Sequence, residues 1–198
     1  MSDKNLTQKK WLSWHHLLHR EFLSKKTLIP KGSNILISVS GGQDSMALLT
    51  LIDDLKKIHN WSISVWHGDH QWHKKSSLYA LELKSYCEGK NIPFYFDKAD
   101  KENILTEEKA REWRYQKLCE IAKTTLKKKQ QNKNIYLLTG HTSTDNAETF
   151  ILNLSRGSNF AGLSNIENKR LLENQIFLIR PILILSLIHI SEPTRRYR

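Results

Sequence analysis

A single α/β domain, a three-layer parallel sheet with helices on both faces, is the fold this sequence predicts. Short apolar runs rich in branched residues alternate with longer segments of helical period, at spacings that leave room for crossover helices. Polar, glycine-containing clusters follow several of these runs, where such sheets bind their ligands.

Each element has its own justification. Trp11, Trp14, Leu18 and Phe22 recur at helical spacing and predict an amphipathic, core-packing helix within residues 1–33, ending before Pro30. The sheet domain is expected over residues 34–184. Its first strand is Asn34-Ile-Leu-Ile-Ser-Val39, which leads through Ser40–Ser45 into a helical pattern over Met46–Ile52. Trp61–Trp66 is a β-rich run, followed by a polar loop over 67–77 and a helix over 78–89. A third strand over 92–96, a helix over about 106–128, a fourth strand over 135–139, a helix over about 142–154 and a last strand over 176–179 complete the series. This order brings Ser40–Ser45, Asp69 with His70, and Gly140 with His141 to one end of the sheet.

Composition narrows the function classes. Hydrophobic residues make up 39% of 198, enough for a real core, with no repeat or low-complexity bias. A formal net charge of +11 is compatible with an anionic macromolecular partner, but equally with a solvated lysine surface, and the Lys123–Lys133 run has no interleaved aromatics to stack bases. Two cysteines, Cys87 and Cys119, without a C-x-x-C pairing, argue for a reducing compartment and against a cysteine-built metal site. The start of the chain has no apolar signal core, and the apolar stretch 176–190 is broken by Arg180 and Pro181, so a cytoplasmic protein without membrane association is expected.

The sharpest chemistry lies in Ser40-Gly-Gly-Gln-Asp-Ser45, between a strand and a helix. Paired glycines let backbone N–H groups approach an anion, and the following helix points its positive end at the same place, which suits pyrophosphate. No G-x-x-x-x-G-K-[ST] occurs, so there is no Walker-type lysine, and chemistry at the α-phosphate is the better reading. Ser40 and Ser45 offer hydroxyl donors, and Asp44 makes sense beside phosphate if the two share a Mg²⁺. The bland alternative is a turn with Asp44 as a dipole partner.

Further along, Gly140-His141-Thr-Ser-Thr-Asp145-Asn-Ala-Glu148-Thr149 follows a strand and opens a helical pattern. Asp145 suits a second metal ligand or an orienting group, and His141 suits charge stabilisation or proton movement near neutral pH. Helix capping accounts for part of the same pattern. Arg111 and Arg114, three apart on the long helix, are able to present two guanidinium groups to phosphate, or simply to pair with Glu107, Glu108 or Glu112. Arg156-Gly157 reads as a helix C-cap whose arginine is within reach of the site.

These segments, with Ala110-Arg-x-x-Arg-Tyr115, Arg156-Gly-Ser158, Gly162-Leu163 and Arg180-Pro181, occur in the order seen in tRNA(Ile)-lysidine synthetases, and the chain resembles that family over roughly residues 34–183. The Ser-Gly-Gly-x-Asp-Ser string alone indicates the wider N-type ATP pyrophosphatases, including GMP synthetase, asparagine synthetase and tRNA thiolases. The resemblance implies an adenine-nucleotide-alpha-hydrolase-like (Rossmann-like) sheet and ATP with Mg²⁺. It further implies a minor isoleucine tRNA and free lysine as substrates, and a two-step ligase reaction that adenylates the wobble cytidine and makes lysidine. Carried over residue by residue, Asp44, His141 and Asp145 are catalytic, with Asp44 and Asp145 at the metal. Ser40, Gly41, Gly42, Gln43, Asp44, Ser45, Asp69 and His70 hold ATP, and Arg111, Arg114 and Arg156 hold phosphates of ATP or tRNA. A tRNA thiolase and a non-catalytic nucleotide- or RNA-binding module are the alternatives.

The segment from Leu185 to Arg195 departs from the family and resembles the translation of a sequencing-library adapter. Residues 185–198 are accordingly expected to be a non-native tail on a truncated chain.

Overall fold

The computed structural model describes residues 11–72, 76–100, 106–129, 134–140 and 168–181. The expected helix over 142–154 and the tail at 185–198 lie outside them. In chain order the elements are α1 (Ser13–Ser24), β1 (Asn34–Ser38), α2 (Gln43–His59), β2 (Ser62–Asp69), α3 (Ser76–Gly89), β3 (Phe94–Lys98), α4 (Glu107–Lys129), β4 (Ile135–Leu138), β5 (Lys169–Glu173) and β6 (Ile176–Ile179). They form one six-stranded sheet in the order β3-β2-β1-β4-β6-β5.

All neighbouring strands are parallel except β5 and β6, which make an antiparallel hairpin. The wholly parallel expectation therefore needs one correction, at an edge. Lys169-Arg-Leu-Leu-Glu173 carries charge at both ends and no clean alternation, and its pairing with β6 shifts register between Leu171 and Glu173. Charge and a register shift are common ways to protect a sheet edge from pairing with another chain.

Side-chain alternation divides the core into two layers. Ile35, Ile37, Val39, Ile63, Val65, Tyr136, Leu138 and Ile179 face a cluster that takes Leu18 and Phe22 from α1, Leu48 and Ile52 from α2, and Leu83 and Cys87 from α3. Leu36, Trp66, Ile135, Leu137, Ile176 and Leu178 face the other side, where α4 contributes Leu118, Cys119 and Ala122. The helix period of α1 is thus spent on the core, where the helix packs against α2, and core packing is what the sequence predicts. Polar contacts fix α1 as well: the His15 ring lies 2.9 Å from an Asp54 carboxylate oxygen, and the His19 and His59 rings are joined by a 3.1 Å hydrogen bond.

Boundaries of three elements differ from the sequence reading. The second strand runs on to Asp69 because it pairs with β3 from Val65↔Phe94 to Asp69↔Lys98, so polar His67 and Asp69 are strand residues. The third strand correspondingly begins at Phe94, and Ile92 is buried in the turn that precedes it. α2 starts three residues earlier than Met46, with Gly42 as N-cap, so Gln43, Asp44 and Ser45 form its first turn.

Gly68 sits on the α4 face between two indoles. A Cβ there would lie 2.3 Å from the Trp66 ring and 2.7 Å from that of Trp113. Since Trp66 is fully buried and its Nε1 donates to Asp97 Oδ2 at 2.7 Å, it has no room to yield. Gly68→Ala is expected to destabilise the fold by about 1–3 kcal/mol, the usual cost of overpacking. Urea unfolding of the two proteins measures it, and equal midpoints would refute the fit described.

Candidate active site

Strand order reverses about β1: the chain runs outward through β2 and β3, then returns to β4 on the other side. The carboxyl ends of β1, β2 and β4 therefore border a crevice, which is the place where open α/β sheets bind ligands. A pocket of about 870 Å³ occupies it. Its lining takes 38–45 from the first strand and loop, 66–72 from the second strand and the turn after it, Ser76 and Tyr79 from α3, Arg114 from α4, and Thr139 and Gly140 from the fourth strand.

The loop between β1 and α2 is closed by its own serines. Ser45 Oγ donates to the Gly42 carbonyl at 2.9 Å and accepts from the Ser40 N–H at 3.2 Å. With that proton spent, the 3.2 Å contact between the two hydroxyls is a donation from Ser40, whose Oγ in turn accepts from the Gly42 N–H at 3.3 Å. The sequence reading gave both hydroxyls to phosphate; here they shape the loop. What faces the crevice is the amide end of α2, whose first-turn N–H groups have no acceptor within the helix.

Two glycines make this possible. Gly41 has φ +87°, a left-handed conformation that disfavours any side chain, and a Cβ on it would touch Tyr79 at 3.4 Å. Gly140 brings the exit of β4 against α2: a Cβ there would meet the Ser45 N and Cα at 3.0 Å and the Asp44 carbonyl carbon at 3.2 Å. That contact is with backbone, which cannot swing aside.

The second wall is acceptor-rich. His67 Nδ1 lies 2.7 Å from the Val39 carbonyl oxygen, which only accepts, so Nδ1 carries the proton. Its Nε2 is buried without a partner among the described residues and is an acceptor whenever Nδ1 carries the ring's one proton. Asp69 is buried too; Oδ1 accepts from the Gln71 N–H at 2.7 Å, while Oδ2 has no partner among the described residues. His70 follows, its pKa lowered to about 4 by burial first and then by the charge of Arg114, with Asp69 opposing. Its ring is neutral at pH 7. Buried acceptors left open at a pocket wall are costly unless a bound group supplies donors or a cation.

Asp44, Asp69 and His70 thus line the pocket with Ser40, Gly41, Gly42, Gln43 and Ser45. Arg114 joins them, its pKa lowered by burial and by the neighbouring charge of Arg111. Arg111 does not: it is exposed, with its guanidinium 5.7 Å from the centre of the Tyr115 ring. His141, Asp145 and Arg156 lie outside the described residues, though the chain reaches Gly140 at the pocket wall. No three acidic, histidine or cysteine side chains among the described residues converge as a complete metal site. Magnesium seldom needs one, since one or two carboxylates plus ligand phosphates and water suffice, and Asp44 beside a phosphate loop fits that pattern. Sequence reasoning passed over His67, Trp72 and Tyr79 as loop and helix surface. Their only signal was proximity to Asp69 and His70 in the chain.

Comparison with known proteins adds a family to this geometry. The PP-loop domain family matches residues 15–197. A tRNA(Ile)-lysidine synthase from Prochlorococcus marinus subsp. pastoris is 70% identical over 197 residues, covering 100% of this chain and 57% of that protein. A second tRNA(Ile)-lysidine synthase from Prochlorococcus marinus is 48% identical over 186 residues, 94% of this chain and 55% of that one. The chloroplastic tRNA(Ile)-lysidine synthase of the alga Pyropia yezoensis is 40% identical over 169 residues, 84% and 49% respectively. The chain therefore spans about half the length of these relatives. Among solved structures, the U34-tRNA thiolase NcsA from Methanococcus maripaludis superimposes with a TM-score of 0.61 at 14% identity, over 91% of this chain and 64% of that one, a likeness of fold.

Two outcomes test the site. Gly140→Ala should push the first turn of α2 from β4 and weaken binding of inorganic pyrophosphate by about tenfold or more, equivalent to about 1.4 kcal/mol; calorimetry reads this, and unchanged affinity would remove the close approach from the site. Because the folded pKa of His70 is about 4 against an ordinary 6.5, the unfolded chain takes up a proton that the folded one resists within that window. The native state therefore loses stability as pH falls from 6.5 toward about 4, and His70→Phe should lose less across it. Parallel stability profiles for the two proteins would contradict the burial assigned to this ring.

Proposed function

This chain belongs to the PP-loop domain family, and from that premise we propose that it is the ATP-using part of a tRNA-modifying ligase, one that converts the wobble cytidine of a minor isoleucine tRNA to lysidine with free lysine. The observation that carries the reading is the loop itself: a serine-closed pyrophosphate cradle with no Walker lysine, at the reversal of strand order. The similarity to tRNA(Ile)-lysidine synthases supplies the substrate class.

The chemistry follows from the donors and acceptors present. ATP lies with its phosphates against Gly41, Gly42 and the amide end of α2, and its adenine amino group supplies donors to the open acceptors at His67 and Asp69. The cytidine O2 attacks the α-phosphorus, the bond to the bridging oxygen breaks, and pyrophosphate leaves into the cradle. The lysine ε-amine then attacks C2, AMP departs, and the amine's proton passes to a base, a role suited to His141. Arg114, with Arg156, offsets phosphate charge in the pocket, and Arg111, exposed outside it, is left to phosphates of the tRNA. Asp44, with Asp145, would hold a Mg²⁺, which when bound neutralises charge on the phosphates. Positioning and fixed dipoles supply most of the acceleration.

A thiolase reading loses support from the cysteines. Cys87 and Cys119, the two in the chain, are buried, neither lines the pocket, and burial raises each thiol to about 11, far from the thiolate that sulfur transfer requires. A cytoplasmic location fits a tRNA substrate, and no described helix is long and apolar enough to cross a membrane.

Asp44→Ala should abolish tRNA-dependent exchange of labelled pyrophosphate into ATP. Exchange at the unsubstituted rate in that variant would take Asp44 out of the mechanism, and an unsubstituted chain that binds neither ATP nor pyrophosphate would count against the whole reading.

A further inference from the structure

Trp72 is a large apolar side chain with 51% of its surface exposed, and it lines the pocket beside the buried acceptors of the β2 wall. It is not loosely placed. Gln71, just before it, adopts φ +57°, and this left-handed residue is pinned on both sides: its N–H donates to Asp69 Oδ1, and its side-chain amide donates to the Ala99 carbonyl. Strain held by two such bonds fixes the direction in which the next side chain leaves the turn.

Behind Trp72 stands a continuous series of rings. Its indole is 5.3 Å from the His70 ring, His70 is 5.1 Å from Trp113, and Trp113 is 5.7 Å from the fully buried Trp66. Gly68 makes the inner part of this series possible by leaving its place to the two tryptophans. The inner face of Trp72 is thus buttressed from the core outward, and its remaining surface is open. Such a preorganised ring loses little conformational freedom when another flat group settles on it.

We infer that Trp72 is the stacking platform for an unpaired base of the RNA substrate, holding that base at the mouth of the pocket in line with the nucleotide. This rests on the reading of the chain as a tRNA-modifying enzyme. The deep acceptors at His67 and Asp69 match the amino group of adenine, which leaves the outer ring for the second substrate. A net charge of +11 draws a polyanion but cannot tell paired from unpaired strands, whereas a π-face open at the rim accepts only a base that has left its stack. His70 stays neutral at pH 7, so the buttress brings no charge of its own beneath the ring.

The test compares the 198-residue chain with its Trp72→Ala and Trp72→Phe variants. Fluorescence anisotropy reads binding of a labelled single-stranded oligocytidylate and of an RNA duplex with the same number of phosphates, and calorimetry reads ATP. Trp72→Ala should weaken single-strand binding by about 5- to 150-fold, the range for removing one stacking partner. Trp72→Phe should recover most of that loss, and neither should alter duplex or ATP binding. If the alanine variant keeps full single-strand affinity while the unsubstituted chain binds RNA, the platform is wrong and the ligase reading stands. If ATP affinity falls instead, the ring serves adenine and the inference is overturned. If the unsubstituted chain binds no RNA of either kind, the tRNA reading fails and takes the inference with it.

Discussion

The contact between Gly140 and the first turn of α2 governs how the crevice is made. Two elements far apart in sequence come so near that a Cβ added at Gly140 would lie 3.0 Å from the Ser45 backbone, which leaves no room for a side chain between them. Because β4 comes so near, its exit borders the same space as the β1 loop and the first turn of α2. The serine bonds within the loop then shape a cradle whose position is already decided by that approach.

Electrostatics divide the pocket into two kinds of wall. On the loop side the groups are donors and a helix dipole, suited to phosphate. On the β2 side His67 Nε2 and Asp69 Oδ2 are acceptors, buried without partners among the described residues. A ligand with an anionic end and an amino-bearing end satisfies both, and a plain phosphate satisfies one. Arg114 lies between these tendencies: burial makes its charge costly, and the shift it imposes on His70 shows the same field acting on a neighbour. The arrangement is poor at stabilising an empty fold and suited to recognising a nucleotide.

Much of this was legible in residue order, and the exceptions have physical causes. Asn34-Ile-Leu-Ile-Ser38 reads as a strand because a central parallel strand is covered on both faces and stays apolar throughout. β5 does not, since an edge strand needs no apolar face and Lys169-Arg170 supplies charge instead. His67-Gly-Asp69 reads as loop because its polarity serves the pocket, while its strand conformation comes from β3, a partner that local sequence cannot reveal. Arg111 and Arg114 were correctly placed on one helix. Three residues leave them about 60° apart around the axis, and only packing decides that one lines the pocket while the other lies over Tyr115. Trp72 was invisible for a different reason: an aromatic in a polar stretch gives no period to detect.

The register of β1 has one more consequence, for the order in which the molecule can come into being. Asn34 pairs on one side with Ser62, a close neighbour in the chain, and on the other with Ile135. While the polypeptide is being made, the first pairing and the α2 layer can form early, but one edge of β1 stays open until β4 has emerged, and long-range parallel pairings of this kind form slowly. During that interval the loop has its glycines and serines yet lacks the opposing wall that Gly140 brings. A nascent chain therefore has no finished place for a nucleotide, and the capacity to hold one arrives together with the closing of the sheet. Nucleotide binding becomes a late event in biogenesis, one that waits for β4 and its exit at Gly140.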